Sequence, residues 1–175
     1  SAASDVYKRQ TVTFLVENPQ PIVGTFRESY LSLPNEVLVT PMKEYQRYFP
    51  IWKDENSLLA KFIIISNGTD GNHDVVRHGN ERVLHARLED AEFFYEEDQR
   101  SSLGDKIDRL KDVIFQIKLG NLYEKSCRIS QIAENICDYL NLDESKTNAK
   151  RAAMLSKADL TTQMVIEFPS LQGIM

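Results

Sequence analysis

The feature that most constrains this chain is a change in its apolar period near residue 80, from two to about 3.6. Before that point, Val12, Phe14 and Val16 alternate with Thr11, Thr13 and Glu17 around Leu15, which predicts a strand that Pro19 and Pro21 end. Val37 and Val39 alternate within Leu33 to Thr40, a second predicted strand stopped by Pro41. Met42 to Phe49 is expected to form one or two helical turns. Leu58 to Ser66 is a third strand, too apolar to have an exposed face. Asn67-Gly68 and Asp70-Gly71 are turn dipeptides. All prolines except Pro169 lie in this half. After residue 80 the stripes are helical. Leu84, Leu88, Ala91 and Tyr95 form one. Ile107, Leu110, Ile114 and Ile117 form a second, closing at Gly120, a helix-ending residue. Ile129, Ile132, Ala133 and Ile136 form a third, ending near Asn141. Ala152, Leu155 and Leu160, with Met164 and Phe168, form a fourth, capped by Asp143 or Thr147. The expected fold class is therefore α+β: a sheet-containing portion over 11–79, then a bundle-like helical unit over 80–175.

Composition narrows the class further. Hydrophobic residues make up 42% and charged residues 27% of the 175, which excludes disordered and collagen-like chains. The longest apolar run, Phe62 to Ile65, is far short of the roughly 20 residues a membrane-spanning helix needs. The formal charge of −5 gives neither half the basic excess that binds nucleic acid by bulk attraction, so any RNA contact comes from a local patch. Cys127 and Cys137 fall on one predicted helix about 15 Å apart, too far for a disulfide. They read as buried free thiols of a reducing compartment, and cytoplasm is the expected location. Two Cys and three His without ligand-like spacing argue against a structural zinc site. Residues 1–10, ending Asp5-Val6-Tyr7-Lys8-Arg9-Gln10, read as the translation of a sequencing adapter and are expected to lie outside the fold. The apolar end at Ile174-Met175 suggests an internal fragment of a longer protein.

Four clusters invite chemistry. His73-Asp74 has the residue types of a metal-binding phosphohydrolase pair but is expected in a loop. His78, Arg82, His85 and Glu89 share a helix face that serves either an RNA or protein partner or solvent. Glu96, Glu97 and Asp98 crowd a helix C-terminus, where acids oppose the macrodipole, so Arg100 and Lys106 are the expected local partners. Lys43, Arg47, Tyr45, Tyr48, Phe49 and Trp52 interleave bases with aromatics, which suits base stacking or a half-buried segment on the sheet. No G-x-S-x-G, P-loop or G-x-G-x-x-G is present.

Longer strings carry a resemblance. They are Phe14-Leu15-Val16-Glu17-Asn18-Pro19-Gln20-Pro21-Ile22-Val23-Gly24; Leu33 to Leu38, running on to Met42 to Pro50; Gly79 to Leu88, continuing through Asp90 to Tyr95; Gln116 to Gly120; and Lys157 to Val165, with Glu167 to Pro169. Together they resemble the β subunit of bacterial tetrameric glycine–tRNA ligase over residues 11–175. The resemblance implies an α2β2 enzyme. Its α subunit activates glycine with ATP and Mg, and its β subunit recognises tRNA(Gly). This segment would span the end of an N-terminal domain and the start of an HD-like helical domain, with a second β subunit a possible partner. Arg is usual in the family where His85 stands here, which weakens residue 85 as a phosphate contact.

In true HD phosphohydrolases a helix ends in Leu-His-Asp and the last two bind metal. Here Ala158 stands in the His position and only Asp159 remains, so a degenerate site without metal or catalysis is expected. A buried Asp159 would need a partner such as Lys157 or a helix N-terminus. Lys43, Arg47, Arg82 and Arg87 are the expected tRNA- or interface-facing residues. The alternatives are a purely structural subunit interface and, less favoured, a metal-dependent HD phosphohydrolase.

Overall fold

The computed structural model describes residues 2–67 and 72–175, with side chains from Arg9 onward. The turn dipeptide Asp70-Gly71 and residue Gly68 lie outside the described residues. The chain divides into two units, residues 1–93 and 94–175, and the division falls within one long helix. Helix and sheet occur together, as the α+β reading expects.

The first unit opens with α1 (Ala2–Leu15), where a strand and an excluded segment were expected. Val12 and Val16, read as alternating, are also four apart, which suits a helical period as well; Val16 directly follows the helix, and Phe14 is 87% exposed. The strand comes later, as β1 (Gln20–Thr25). Pro21 is tolerated because β1 lies at an edge of the three-stranded order β1-β3-β2. The expected second strand is instead α2 (Asn35–Thr40), continued by a π-helical turn over Pro41–Tyr45. The reason is Leu38: it is as fully buried as Val37, which alternation forbids, and it joins Met42 at helical spacing. The carbonyl of Pro34 accepts from the N–H groups of Val37 (3.0 Å) and Leu38 (3.4 Å). Pro41 does not stop the chain, because it sits at the first position of its turn, where no N–H is needed.

β2 (Phe49–Trp52) and β1 both pair antiparallel with β3 (Leu58–Ser66), the strand that the sequence predicts over these residues and that here lies at the centre. Gly24 faces Phe62 across the ladder, and a Cβ at Gly24 would lie 2.6 Å from the ring. That close approach lets Phe62 bury fully and tilt against Tyr48, centroids 4.8 Å apart. The side chain of Asn67 accepts from the N–H groups of Glu17 and Asn18, both at 3.0 Å, at the open end of the β1–β3 pair. α3 (His73–Gln99) contributes Leu84, Leu88 and Ala91 to a buried stripe, as predicted.

The second unit departs further. The predicted helix over 107–117 is a 3₁₀ run, Gly104–Asp112, followed by a hairpin of β4 (Ile114–Gln116) and β5 (Gly120–Asn121). Of that stripe only Leu110 is fully buried, and Ile114 and Ile117 stand in solvent. Gly120 adopts φ +82° within the hairpin and ends no helix. α4 (Leu122–Tyr139) begins with a capping box: Asn121 Oδ1 accepts from Glu124 N–H (2.9 Å) and Glu124 Oε2 from Asn121 N–H (3.1 Å). Its buried face is Leu122, Ser126, Ser130 and Cys137, not the predicted isoleucine stripe. Ile132 and Ile136 are exposed.

α4 ends on Asn141 at φ 53°, with Leu142 N–H on the Cys137 carbonyl (2.9 Å) and Asn141 N–H on that of Asp138 (3.2 Å), a Schellman arrangement. α5 (Asp143–Leu155) then runs antiparallel to α4. Lys146 meets Asp138 (2.7 Å) and Lys150 meets Glu134 (2.8 Å), so positions ascend on one helix as they descend on the other. These ammonium groups hold the Glu134 carboxyl below the usual range, Lys150 contributing most. The α5 start has no side-chain cap; Asp143 lies inside the first turn rather than before it. Short turns follow, including α6 (Gln163–Glu167), which Thr162 caps through Val165 N–H (3.2 Å).

Candidate nucleic-acid and subunit interface

Arg82 lies on the outward face of α3, beside an open concavity of about 520 Å³ lined by Thr25, Phe26, Arg27, Glu81 and His85. Two guanidinium groups and an imidazole therefore border one depression. Glu81 fixes one wall, its Oε1 accepting from Thr25 N–H (2.9 Å) and Thr25 Oγ1 (3.0 Å). Glu89 Oε1 lies 3.4 Å from both Arg27 Nη1 and His85 Nδ1. Tyr30 Oη sits 3.2 Å from the same imidazole nitrogen, with the two rings edge to face. Burial, then the Glu89 charge, pushes the Tyr30 phenol up from its ordinary value. His85 Nε2 is buried and has no hydrogen-bond partner among the described residues. Arg82 pairs with no carboxylate among them, which leaves its guanidinium available to an anion.

The other three candidates lie elsewhere. Arg87 is five positions from Arg82, about 140° around the helix. Its guanidinium stands 5.9 Å from the centre of the half-exposed Tyr45 ring, on the π-helical turn that also carries Lys43. Arg47, exposed and at φ 56°, lies on the connection into β2 and lines a second concavity with Val16, Tyr48 and Asn80. The four bases thus divide among three places. Arg27 and Tyr30 were missed because they fall between the matching strings, and nothing local ties them to residues 85 and 89.

The aromatic cluster separates into roles. Tyr48 is buried and donates to Asn80 Oδ1 (2.5 Å), so it offers no stacking face; burial pushes its phenol up to about 12. Tyr45 and Trp52 remain partly exposed. His73-Asp74 begins α3 rather than lying in a loop, and Asp74 pairs with Arg77 (2.9 Å). The acids at the end of α3 find the predicted local partners: Glu97 meets Arg100 (2.6 Å) and Asp98 meets Lys106 (3.1 Å). Cys137 is buried, but Cys127 is exposed, a correction that follows from the actual buried face of α4.

Ala158 and Asp159 are both buried. Asp159 Oδ2 accepts from Gly173 N–H (2.7 Å), so a backbone amide supplies the partner expected from Lys157 or a helix end. A methyl group and one carboxylate already bonded to an amide do not fit a divalent metal. Among the described residues no three His, Cys, Asp or Glu side chains cluster as metal ligands, and no helix is long and apolar enough to cross a membrane.

A family profile described as glycyl-tRNA synthetase beta subunit matches residues 5–175. The chain belongs to this family. It is 51% identical to the glycine–tRNA ligase beta subunit of Clostridioides difficile over 95% of its own length and 24% of that protein. It is 46% identical to the beta subunits of Moorella thermoacetica and of Listeria monocytogenes, with the same two coverages. The chain thus spans about a quarter of the length of the curated relatives it matches. Within the family's sequence, the Arg82 concavity and the Arg87–Tyr45 pair lie in the first unit, and the Ala158–Asp159 position in the second.

Proposed function

We propose that this chain is a tRNA- and subunit-contacting part of a glycine–tRNA ligase β subunit. In that role it supports the ATP-dependent attachment of glycine to tRNA(Gly) in the cytoplasm. The observation that carries this reading is the family match along nearly the whole chain. ATP and Mg act on the partner α subunit. No step of the chemistry is assigned to residues of this chain, whose contribution is binding and assembly. A second β subunit completes the α2β2 enzyme. Residues 11–79 are the end of an N-terminal domain, and 80–175 begin an HD-like domain used as scaffold.

Arg82, with Arg27 beside it, is the phosphate-facing pair. Guanidinium groups on an open concavity position a nucleic-acid backbone without reading its sequence. Lys43 and Arg87, flanking exposed Tyr45, form a second RNA-facing group, and Arg47 a third. In the complete two-subunit ligase, Arg82→Ala should raise the KM for tRNA several-fold. The ATP–pyrophosphate exchange with glycine should stay unchanged. For every phosphate no longer neutralised, the slope of log affinity against log salt should also fall by about 0.9. A drop in thermal stability with an unchanged KM would make the arginine structural.

A second reading, a purely structural α–β interface, is favoured by Glu81 and Glu89, which offset much of the positive charge of the concavity. Hydrogen exchange separates the two. Protection of residues 25–30 and 81–89 by α alone favours the interface, and protection by tRNA favours the first reading.

A further inference from the structure

The β4–β5 hairpin of the second unit presents apolar side chains that the unit leaves uncovered. Ile114, Ile117 and Leu119 are 76, 93 and 52% exposed. Yet the backbone beneath them is tied down. Leu119 N–H donates to the Gln116 carbonyl (2.8 Å), Lys118 N–H to Gln116 Oε1 (2.8 Å), and Leu122 N–H to the Val113 carbonyl (2.9 Å). Arg128 Nη2 holds the Leu119 carbonyl at 2.9 Å. Gly120 sits in the left-handed region directly against Glu124, whose carboxylate closes the capping box, and any Cβ there would collide with it. A loose loop can fold its apolar groups away from water. This hairpin is fixed with them outward, which suits an apolar wedge arranged in advance for a receiving surface.

The side chains indicate what kind of surface. Nucleic-acid bases stack on aromatic faces. Three of the groups here are aliphatic, and the aromatic one, Phe115, has Lys125 Nζ 3.5 Å from its ring centre, which covers one of its two faces. Aliphatic side chains fit an apolar socket in protein. Lys118 stands exposed between Ile117 and Leu119, so a carboxylate at the socket rim complements the wedge in charge. About three quarters of the length of the relatives lies outside the segment described. A socket on the same polypeptide meets the wedge at high effective concentration and without the loss of translational freedom a separate chain incurs.

We propose that the Ile114–Asn121 hairpin is a docking wedge for another segment of its own polypeptide, outside these 175 residues, that carries an apolar socket with a carboxylate at its rim. The proposal rests on the chain being part of a β subunit.

The test uses the complete β subunit assembled with its α partner and tRNA, with co-purification of α checked first. A benzophenone-bearing residue at position 117 is irradiated, and the cross-linked peptides are identified by mass spectrometry after mixing isotopically light and heavy β chains. The expected product joins residue 117 to a peptide outside this segment in the same β molecule. A cross-link to α, to RNA or to another β copy, or no cross-link, overturns the proposal. The double change Ile117→Lys with Leu119→Lys should speed thermolysin cleavage between this unit and the remainder at least tenfold, while Ile117→Val cleaves at the parent rate. An unchanged rate in the double variant also overturns it. A cross-link to RNA would leave the tRNA-binding reading standing, whereas failure of α to co-purify would remove that reading.

Discussion

Replacing Asp98 with alanine strands the ammonium group of Lys106. The two side chains are only 13 and 5% exposed and lie 3.1 Å apart. The same carboxylate accepts from two backbone amides at the start of α6, Gln163 N–H (3.0 Å) on Oδ1 and Met164 N–H (2.8 Å) on Oδ2. One side chain thus holds the end of α3 to a buried cation and to a short helix some 65 residues later in the chain. Breaking a buried ion pair by removing one partner costs about 3–5 kcal/mol, chiefly because the other charge is left uncompensated. That is a large share of the roughly 5–15 kcal/mol by which a domain is stable. Asp98→Ala should therefore lower the urea midpoint sharply, read by circular dichroism, with the loss confined to the transition of the second unit. Lys106→Met removes the stranded charge. In that background Asp98→Ala should cost about half as much, giving a coupling energy of about 2 kcal/mol in a double-mutant cycle. A cost below about 1 kcal/mol, or equal costs in both backgrounds, would show that the pair is not an effective buried interaction and refute the reasoning.

Two further outcomes follow from burial. Tyr48 has a folded-state value of about 12 against 10.0 when unperturbed. Below pH 10 both states keep the phenol proton and stability is intact. Between pH 10 and 12 the unfolded chain ionises first, so stability falls with rising pH, by about 2–3 kcal/mol in all. Urea unfolding across that range should show the decline, and Tyr48→Phe should flatten it; an identical slope would place the Tyr48 ring in water. Of the two free thiols, Cys127 should react with a thiol reagent in the native protein and Cys137 only on unfolding. Two equivalents reacting at once under native conditions would contradict the buried face of α4.

The elements legible in the sequence were those with one consistent environment. β3 is central, and its run of Leu, Phe and Ile has no competing reading. α3 buries Leu84, Leu88 and Ala91 at an unbroken helical spacing. The failures have separate physical causes. Val12 and Val16 satisfy two periods at once, and alternation at Val37 and Val39 ignored the equally buried Leu38. Along 107–117 the spacing predicts a helix face, but apolar character there is not burial: Ile114 and Ile117 stand exposed on a hairpin. In α4 the small residues Ser126 and Ser130 face inward and Ile132 and Ile136 outward, the reverse of what hydrophobicity ranks. At the candidate site, Arg82 was found on its helix. Its neighbours Arg27 and Tyr30 were not, because Arg27 reaches Glu89, and Tyr30 reaches His85, across more than 50 residues of sequence. No local pattern encodes such a pairing.

The register of the first sheet bears on the order in which the chain acquires structure. Gln20 must find Ser66, and Thr25 must find Lys61, before the β1–β3 ladder exists, so loops of tens of residues close ahead of any reward. The β4–β5 hairpin and α4 need only neighbours, since Gly120 and Asn121 meet Glu124 and Val113 meets Leu122. The α4–α5 pair closes through a turn at Asn141. Part of the later-synthesised unit therefore needs only local contacts, although its Asp98–Met164 bond joins residues 66 apart. The earlier one emerges from the ribosome first, yet waits with β3, its most apolar strand, unpaired. The interval between those two events is when this chain is most exposed to aggregation.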